Sequence, residues 1–230
     1  NPPLDGNELR PIFERILELQ PDWSSNYTEE MTERQQLVCG DGNEVIRGWL
    51  GRSSLNVESG DGYGSKARVP WIRVHSIEHS PNATEGWYLV YLFSADGSAA
   101  YLSLNQGTTF RDSKHGSLRN RSTQMLAERV ADARRPFEEK MRIEPRMTTE
   151  MELHDLRGKG RQYERGNVCA FAYPATKIPG DAQLRQDLES FIPFLEKLQQ
   201  LELESEVLPP MPEKIDPLPP SHDPDPQMDL

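Results

Sequence analysis

The stretch of this chain best suited to binding chemistry is residues 62–71, which reads Gly-Tyr-Gly-Ser-Lys-Ala-Arg-Val-Pro-Trp. Tyr63 lies between two glycines and Trp71 opens a strand-like run, so the two rings can face each other across a flat slot. Lys66 and Arg68 lie between them and suit phosphate groups. A stacking surface, a flexible backbone and positive charge are what proteins use to hold an unstacked nucleic-acid base. The alternative is structural, with Tyr63 at a hairpin turn and Trp71 in the core, because buried aromatic residues are common.

Several further blocks follow this stretch in order. They read Gly-Trp-Tyr-Leu-Val-Tyr-Leu-Phe from residue 86, Tyr-Leu-Ser-Leu-Asn-Gln-Gly from residue 101 and Arg-Gln-Tyr-Glu from residue 161. Together with Gly-Tyr-Gly at 62–64 and Val-Pro-Trp-Ile at 69–72, these blocks resemble the MrcB-like N-terminal domain family, which includes the DNA-binding domain of the restriction factor McrB. The resemblance covers roughly residues 45–175 in scattered blocks.

The resemblance implies a domain that recognises DNA carrying modified cytosine, foremost 5-methylcytosine, by rotating the base into a pocket. By motif position, that pocket would be lined by Tyr63, Trp71, Leu92 and Tyr163. The implied partner is double-stranded DNA, and the implied context is a modification-dependent restriction system with a nuclease or motor in another domain or subunit. The chain itself would be a recognition module and not an enzyme. A different class stays open, namely a non-catalytic interaction or scaffold module with an acidic tail.

Charge is the main argument against DNA binding, since the net charge of −11 should repel phosphates. The charge is uneven, however: residues 41–177 carry 20 basic and 17 acidic side chains, whereas residues 1–40 and 178–230 are net −5 and −9. Two polar loops in this basic part concentrate the cations, the first with Arg111, Lys114, Arg119 and Arg121, the second with Arg157, Lys159, Arg161 and Arg165. Such clusters are also common as plain solvated surface. The side chains predicted to contact the DNA backbone are Lys66, Arg68, Arg111, Lys114, Arg119, Arg121 and Arg161.

Patterns for other chemistry are weak. His75, Glu78 and His79 have the spacing H-x-x-E-H, but a zinc site of that type needs both histidines on one helix, and helix-breaking residues follow at once. The sequence has no glycine motif for a dinucleotide or a nucleoside triphosphate, so we expect no cofactor and no metal. Cys39 and Cys169 are far apart and suit buried thiols of a cytoplasmic protein rather than a disulfide. No apolar run is long enough to cross a membrane, so we expect no membrane partner.

The elements that must position these residues indicate an α+β fold. Apolar spacing predicts an amphipathic helix over residues 7–20, and Asp-Gly at 96–97 between two strand-like runs predicts a hairpin over 87–104. The remaining predicted elements are one or two strands over 45–58, strands over 68–76 and 166–173, a helix over 117–135 stopped by Pro136, and a helix capped by Asp181 with a kink or break at Pro193.

We therefore expect a strongly bent, mostly antiparallel sheet flanked by helices, as in proteins that flip bases. The predicted organisation has three parts: an N-terminal helical segment over residues 1–40, a modified-DNA-binding domain over 41–205 that includes the C-terminal helix, and a proline-rich acidic linker or tail over 206–230.

Overall fold

The computed structural model describes residues 8–51, 54–112, 114–139 and 144–204, and the predicted tail over 206–230 lies outside these residues. The helices are α1 (Leu9–Leu19), α2 (Glu29–Gln35), α3 (Gly42–Leu50), α4 (Thr123–Glu139), α5 (Gly160–Gly166) and α6 (Asp181–Leu203). The strands are β1 (Leu55–Gly60), β2 (Trp71–Ser76), β3 (Trp87–Phe93), β4 (Ala99–Gln106), β5 (Thr109–Arg111), β6 (Leu118–Asn120), β7 (Met147–Thr148) and β8 (Cys169–Pro174).

Six strands form one antiparallel sheet in the order β1-β2-β3-β4-β8-β7, and β5 and β6 form a separate hairpin. The predicted α+β class and the antiparallel pairing are confirmed. The sheet is open, with β1 and β7 at its edges, and it is not curled. The strong bend expected from the sequence is therefore not confirmed.

Alternation along β3 divides the sheet into two apolar faces, because successive side chains of a strand point in opposite directions. One face carries Trp87, Leu89, Tyr91 and Phe93 and packs against α1, α3 and α6, and we call this the main core. The other face carries a smaller group, the second cluster, formed by Val69, Tyr88, Val90, Leu92, Met151, Leu153, Tyr163 and Ala170, with Trp71 packed against it. All seven residues of β3 are buried, since both faces are covered.

The first half of the segment predicted as strand is a helix. Residues 42–50 form α3, and strand β1 begins only at Leu55. Val45 and Ile46 are buried in the main core, and Trp49 and Leu50 pack against it. Two apolar pairs four residues apart lie on one face of a helix, so the strand prediction was wrong for this half.

Two prolines lie inside helices without ending them. Helix α4 continues past Pro136 to Glu139, and α6 passes through Pro193 to Leu203. A proline inside a helix costs about 3 kcal/mol, since it removes a backbone hydrogen bond. Phe137 directly follows the first proline, is fully buried, and has its ring 5.0 Å from that of Phe194. The predicted stop at residue 136 was therefore wrong, because burial of the following aromatic residue favours continuing the helix.

Asp181 caps a helix other than its own. Its carboxylate accepts hydrogen bonds from the backbone amides of Leu9 (2.8 Å) and Arg10 (2.9 Å), the first two residues of α1. We expect Asp181→Ala to lower the free energy of unfolding by about 0.5–2 kcal/mol, the usual effect of losing an N-terminal cap. Urea denaturation measures this change, and Asp181→Asn, which keeps one acceptor oxygen, should lose less. Equal stability of wild type and Asp181→Ala would contradict the capping role.

Candidate functional site

A cleft of about 950 Å³ lies where β1 ends and β2 begins. The loop of residues 61–70, here called the glycine loop, forms one side. The loop of residues 155–159, the basic loop, contributes Asp155, Arg157, Gly158 and Lys159 to the lining. Three of the four residues predicted to form a pocket, Tyr63, Trp71 and Tyr163, line this cleft. Leu92 is opposite Trp71 in the β2–β3 register and is fully buried in the second cluster, so it lies behind the lining rather than in it.

Trp71 is held against the edge strand by a glycine. Trp71 and Gly60 are paired in the register of β1 and β2. A Cβ added to Gly60 would lie 2.5 Å from the indole atoms Cε2 and Cζ2, closer than any real contact allows. The indole therefore lies directly over the backbone of β1, and only glycine at position 60 permits this placement.

Tyr63 lies at the exposed tip of the glycine loop, with its side chain entirely open to solvent. The loop turns sharply on Gly62, whose φ of +102° is in the left-handed region, and a Cβ at this position would lie 2.1 Å from the carbonyl oxygen of Ser65. Glycine adopts this conformation without steric cost. The loop can therefore be tight and still present an aromatic ring at its tip.

A buried ion network holds the base of the glycine loop. The carboxylate of Asp61 pairs with Arg34 (2.7 Å) and with Lys66 (2.9 Å), and none of the three side chains is more than 1% exposed. Arg34 also donates to the carbonyl of Ala67 (2.8 Å), and Gln20 donates to that of Arg68 (2.9 Å). The N-terminal helical segment thus fixes the loop backbone beneath Tyr63. No motif in the sequence indicates this role, because Arg34 and Asp61 are brought together only by the fold.

Two of the seven cations predicted to contact phosphates lie inside the protein. Lys66 is buried and paired with Asp61, and Arg121 is 4% exposed. Arg121 donates to the carbonyls of Gly107 (3.0 Å) and Thr84 (3.1 Å), and burial lowers its pKa to about 10. Neither charge is at the surface in this structure, so neither is used for phosphate contact in the function proposed below.

The other five predicted cations lie at three places, namely the cleft, helix α5 and the β5–β6 hairpin. Arg68 lines the cleft, with its guanidinium 4.0 Å from the ring of Trp23. Arg161 is exposed on α5, just after the basic loop. The remaining three, Arg111, Lys114 and Arg119, are exposed on the β5–β6 hairpin and do not line the cleft.

The basic loop adds two exposed cations to the cleft lining. Arg157 and Lys159 both line the cleft, and the sequence groups them with Arg161 as a cationic cluster. Asp155 is 5% exposed and holds this loop, since its carboxylate accepts from the amides of Gly158 (2.8 Å) and Gly160 (3.0 Å). Aromatic rings and exposed cations therefore meet at one cleft.

The histidines of the H-x-x-E-H pattern do not share a helix. His75 is in β2, where burial lowers its pKa and its Nδ1 lies 2.7 Å from the carbonyl oxygen of Ser80, and His79 is in the following turn. Within the described ranges, no group of three His, Cys, Asp or Glu side chains is arranged to hold a metal ion. No helix in the same ranges is long and apolar enough to cross a membrane.

Comparison with known proteins adds a family. The family described as "MrcB-like, N-terminal domain" matches residues 20–200, well over half of the chain. The matched range includes the glycine loop, the basic loop and all four residues of the predicted pocket. No curated protein and no solved structure matches the chain.

Proposed function

We propose that this chain, which belongs to the MrcB-like N-terminal domain family, binds double-stranded DNA and holds a flipped, modified cytosine in its cleft. The carrying observation is that Tyr63, Trp71 and Tyr163 line one cleft together with the exposed cations Arg157 and Lys159. Aromatic rings stack on an unstacked base while cations bind its backbone. The module would give specificity to a cytoplasmic modification-dependent restriction system, in which a nuclease or motor domain or subunit supplies the catalysis.

The proposed binding sequence begins with a base that leaves the stack, at a cost of a few kcal/mol. Stacking on Tyr63 and Trp71 offsets this cost, at roughly 1–3 kcal/mol for each base–aromatic contact. Trp71 is fixed over Gly60 and Tyr63 is presented by a loop with a buried anchor, so little further ordering is needed on binding. Tyr163 is 9% exposed, and burial raises its pKa to about 12, so its hydroxyl stays neutral at physiological pH.

The apolar wall of the cleft favours a methylated base. Val69 and Tyr163 line the cleft and belong to the second cluster, with Leu92 behind them. Burial of one methyl group contributes about 1 kcal/mol, which is roughly a fivefold preference. The test is binding to matched duplexes that carry cytosine, 5-methylcytosine, 5-hydroxymethylcytosine or N4-methylcytosine, and the 5-methylcytosine duplex should bind most tightly. Equal binding of all four duplexes would contradict the proposal.

Two observations favour the alternative of an interaction or scaffold module. Tyr163 is only 9% exposed, as a core residue would be, and the net charge is −11. The full exposure of Tyr63 favours DNA recognition instead, because a tyrosine at a purely structural turn has no need to project into solvent. A scaffold module would bind none of the four duplexes.

The basic loop gives a prediction about salt. We expect the double substitution Arg157→Ala and Lys159→Ala to weaken binding of methylated and unmethylated DNA about equally, because phosphate contacts carry no base information. The salt dependence of the association constant should fall by roughly one unit of slope for each phosphate that is no longer bound. A matched control is Arg10→Ala with Arg185→Ala, whose side chains are each 52% exposed on α1 and α6. Loss of methylated-DNA binding alone would place the basic loop in the base pocket instead.

A further inference from the structure

Glu58 shares the cleft and the sheet face of Trp71. Val57 belongs to the main core, so the alternation of β1 places Glu58 on the opposite face. Glu58 pairs with Arg73 in the register, and Gly60 pairs with Trp71. Glu58 and Trp71 are therefore diagonal neighbours, whose separation is typically about 7–8 Å. Both side chains line the cleft, so a ring stacked on Trp71 would have the carboxylate beside its edge.

Arg73 fixes the carboxylate through one of its two oxygens. Arg73 is 1% exposed and donates from Nε to Oε2 of Glu58 at 2.6 Å, and its Nη2 pairs with the same oxygen. Arg73 is itself held by Ser80 Oγ (3.1 Å) and lies over the ring of Tyr88. In the described part of the chain Oε1 of Glu58 has no hydrogen-bond partner, and the side chain is 49% exposed. One oriented acceptor is thus available in the cleft lining.

The other carboxylate of the lining is already engaged. Asp155 is 5% exposed, and its oxygens accept from the backbone amides of Gly158 and Gly160. The remaining charged groups of the lining are cations, which suit phosphates or base carbonyl groups. Among the described residues of the cleft, Glu58 is therefore the carboxylate that can accept a hydrogen bond from a bound base.

We infer that Glu58 reads the exocyclic amino group of the flipped base, so that the cleft accepts cytosines and rejects thymine and uracil. This inference rests on the proposed function. A carboxylate is acceptor-only and takes a hydrogen bond from the N4 amino group of cytosine. Thymine carries the same methyl group but presents a carbonyl oxygen at that position, which the carboxylate repels. A site built to receive a hydrogen bond discriminates strongly against a base that cannot donate it.

The test compares three duplexes that differ at one target base: 5-methylcytosine, thymine or unmodified cytosine, each opposite guanine. Dissociation constants are measured at one salt concentration for wild type, Glu58→Gln and the control Glu189→Gln, which removes a carboxylate paired with Arg185 on α6. Wild type should prefer 5-methylcytosine over thymine by about tenfold or more. This preference is expected even though the thymine–guanine mismatch opens more easily, which by itself would favour binding of the thymine duplex. Glu58→Gln should reduce the ratio of the dissociation constant for the thymine duplex to that for the 5-methylcytosine duplex by at least about fivefold. The reason is that the glutamine amide can also donate a hydrogen bond to the carbonyl oxygen of thymine.

Loss of one negative charge changes the affinity for all three duplexes alike and leaves the ratio of dissociation constants unchanged. A change in this ratio therefore reports recognition of the base. An unchanged ratio in Glu58→Gln with an unchanged melting temperature would overturn the inference. If the variant does not fold, the wild-type measurement is sufficient. Wild-type protein that binds the thymine duplex as tightly as the 5-methylcytosine duplex also overturns the inference. Preference for 5-methylcytosine over cytosine without selectivity against thymine rejects the role of Glu58 and leaves the proposed function standing. No preference for 5-methylcytosine over cytosine, with Tyr63→Ala equal to wild type, rejects both.

Discussion

Tyr63→Ala is expected to weaken binding of DNA that carries 5-methylcytosine by about 1–3 kcal/mol, or roughly 5- to 150-fold, without changing the melting temperature. The Tyr63 side chain is fully exposed, so its removal costs no packing in the free protein. Removal of the ring should therefore change the free energy of DNA binding and not the stability of the free protein. Fluorescence anisotropy with labelled duplexes measures the affinity, and thermal unfolding checks the fold.

A matched control for this substitution is Tyr27→Ala. Tyr27 is also an exposed tyrosine, at 62%, but it packs beside Lys66 and does not line the cleft. Tyr27→Ala should bind methylated DNA nearly as wild type does. An affinity of Tyr63→Ala equal to that of Tyr27→Ala would contradict stacking of the base on Tyr63.

Asp61→Ala is expected to lower the free energy of unfolding by about 3–5 kcal/mol, the usual cost of removing one partner from a buried ion pair. Arg34 and Lys66 are 0% and 1% exposed, so both cations would remain buried without their shared carboxylate. Urea denaturation measures the loss. The glycine loop would also lose its anchor, so DNA affinity should fall even where the variant is still folded.

Glu14→Ala is the control for the ion network. It breaks an exposed pair with Arg10 on α1, in which the side chains are 52% and 39% exposed, and such pairs contribute about 0.5 kcal/mol or less. A loss of stability in Asp61→Ala no larger than that in Glu14→Ala would show that the buried network does not hold the loop.

The parts of the fold that could be predicted are those encoded by patterns within a short stretch of sequence. The β3–β4 hairpin follows from alternating residues on both sides of Asp96-Gly97, because a turn and two strands are encoded within about twenty residues of chain. Tyr63 and Trp71 could be placed together because they are eight positions apart in the sequence. Tyr163 lines the same cleft, but its assignment to the pocket rested on the family resemblance and not on any local pattern.

Contacts that form only in the folded chain decided the parts that could not be predicted from the sequence. The sequence predicts Lys66 and Arg121 as surface cations. In the fold both are buried, Lys66 against the carboxylate of Asp61 and Arg121 against two backbone carbonyl oxygens. Asp181 begins its own helix, but α1 lies near enough for the carboxylate to cap it instead. Pro136 continues a helix because the residue after it is buried against α6. In most of these cases the deciding partner lies many residues away along the chain.

The most direct test of the flipped base compares one duplex, with 5-methylcytosine opposite guanine, with a second in which the same base is mismatched opposite adenine. A base that is already unpaired costs less to extrude, so a protein that flips it binds the mismatched duplex more tightly. Base flipping predicts about tenfold tighter binding of the mismatched duplex by wild type, and Tyr63→Ala should bind both duplexes more weakly than wild type does. Equal or weaker binding of the mismatched duplex would contradict extrusion of the base into the cleft.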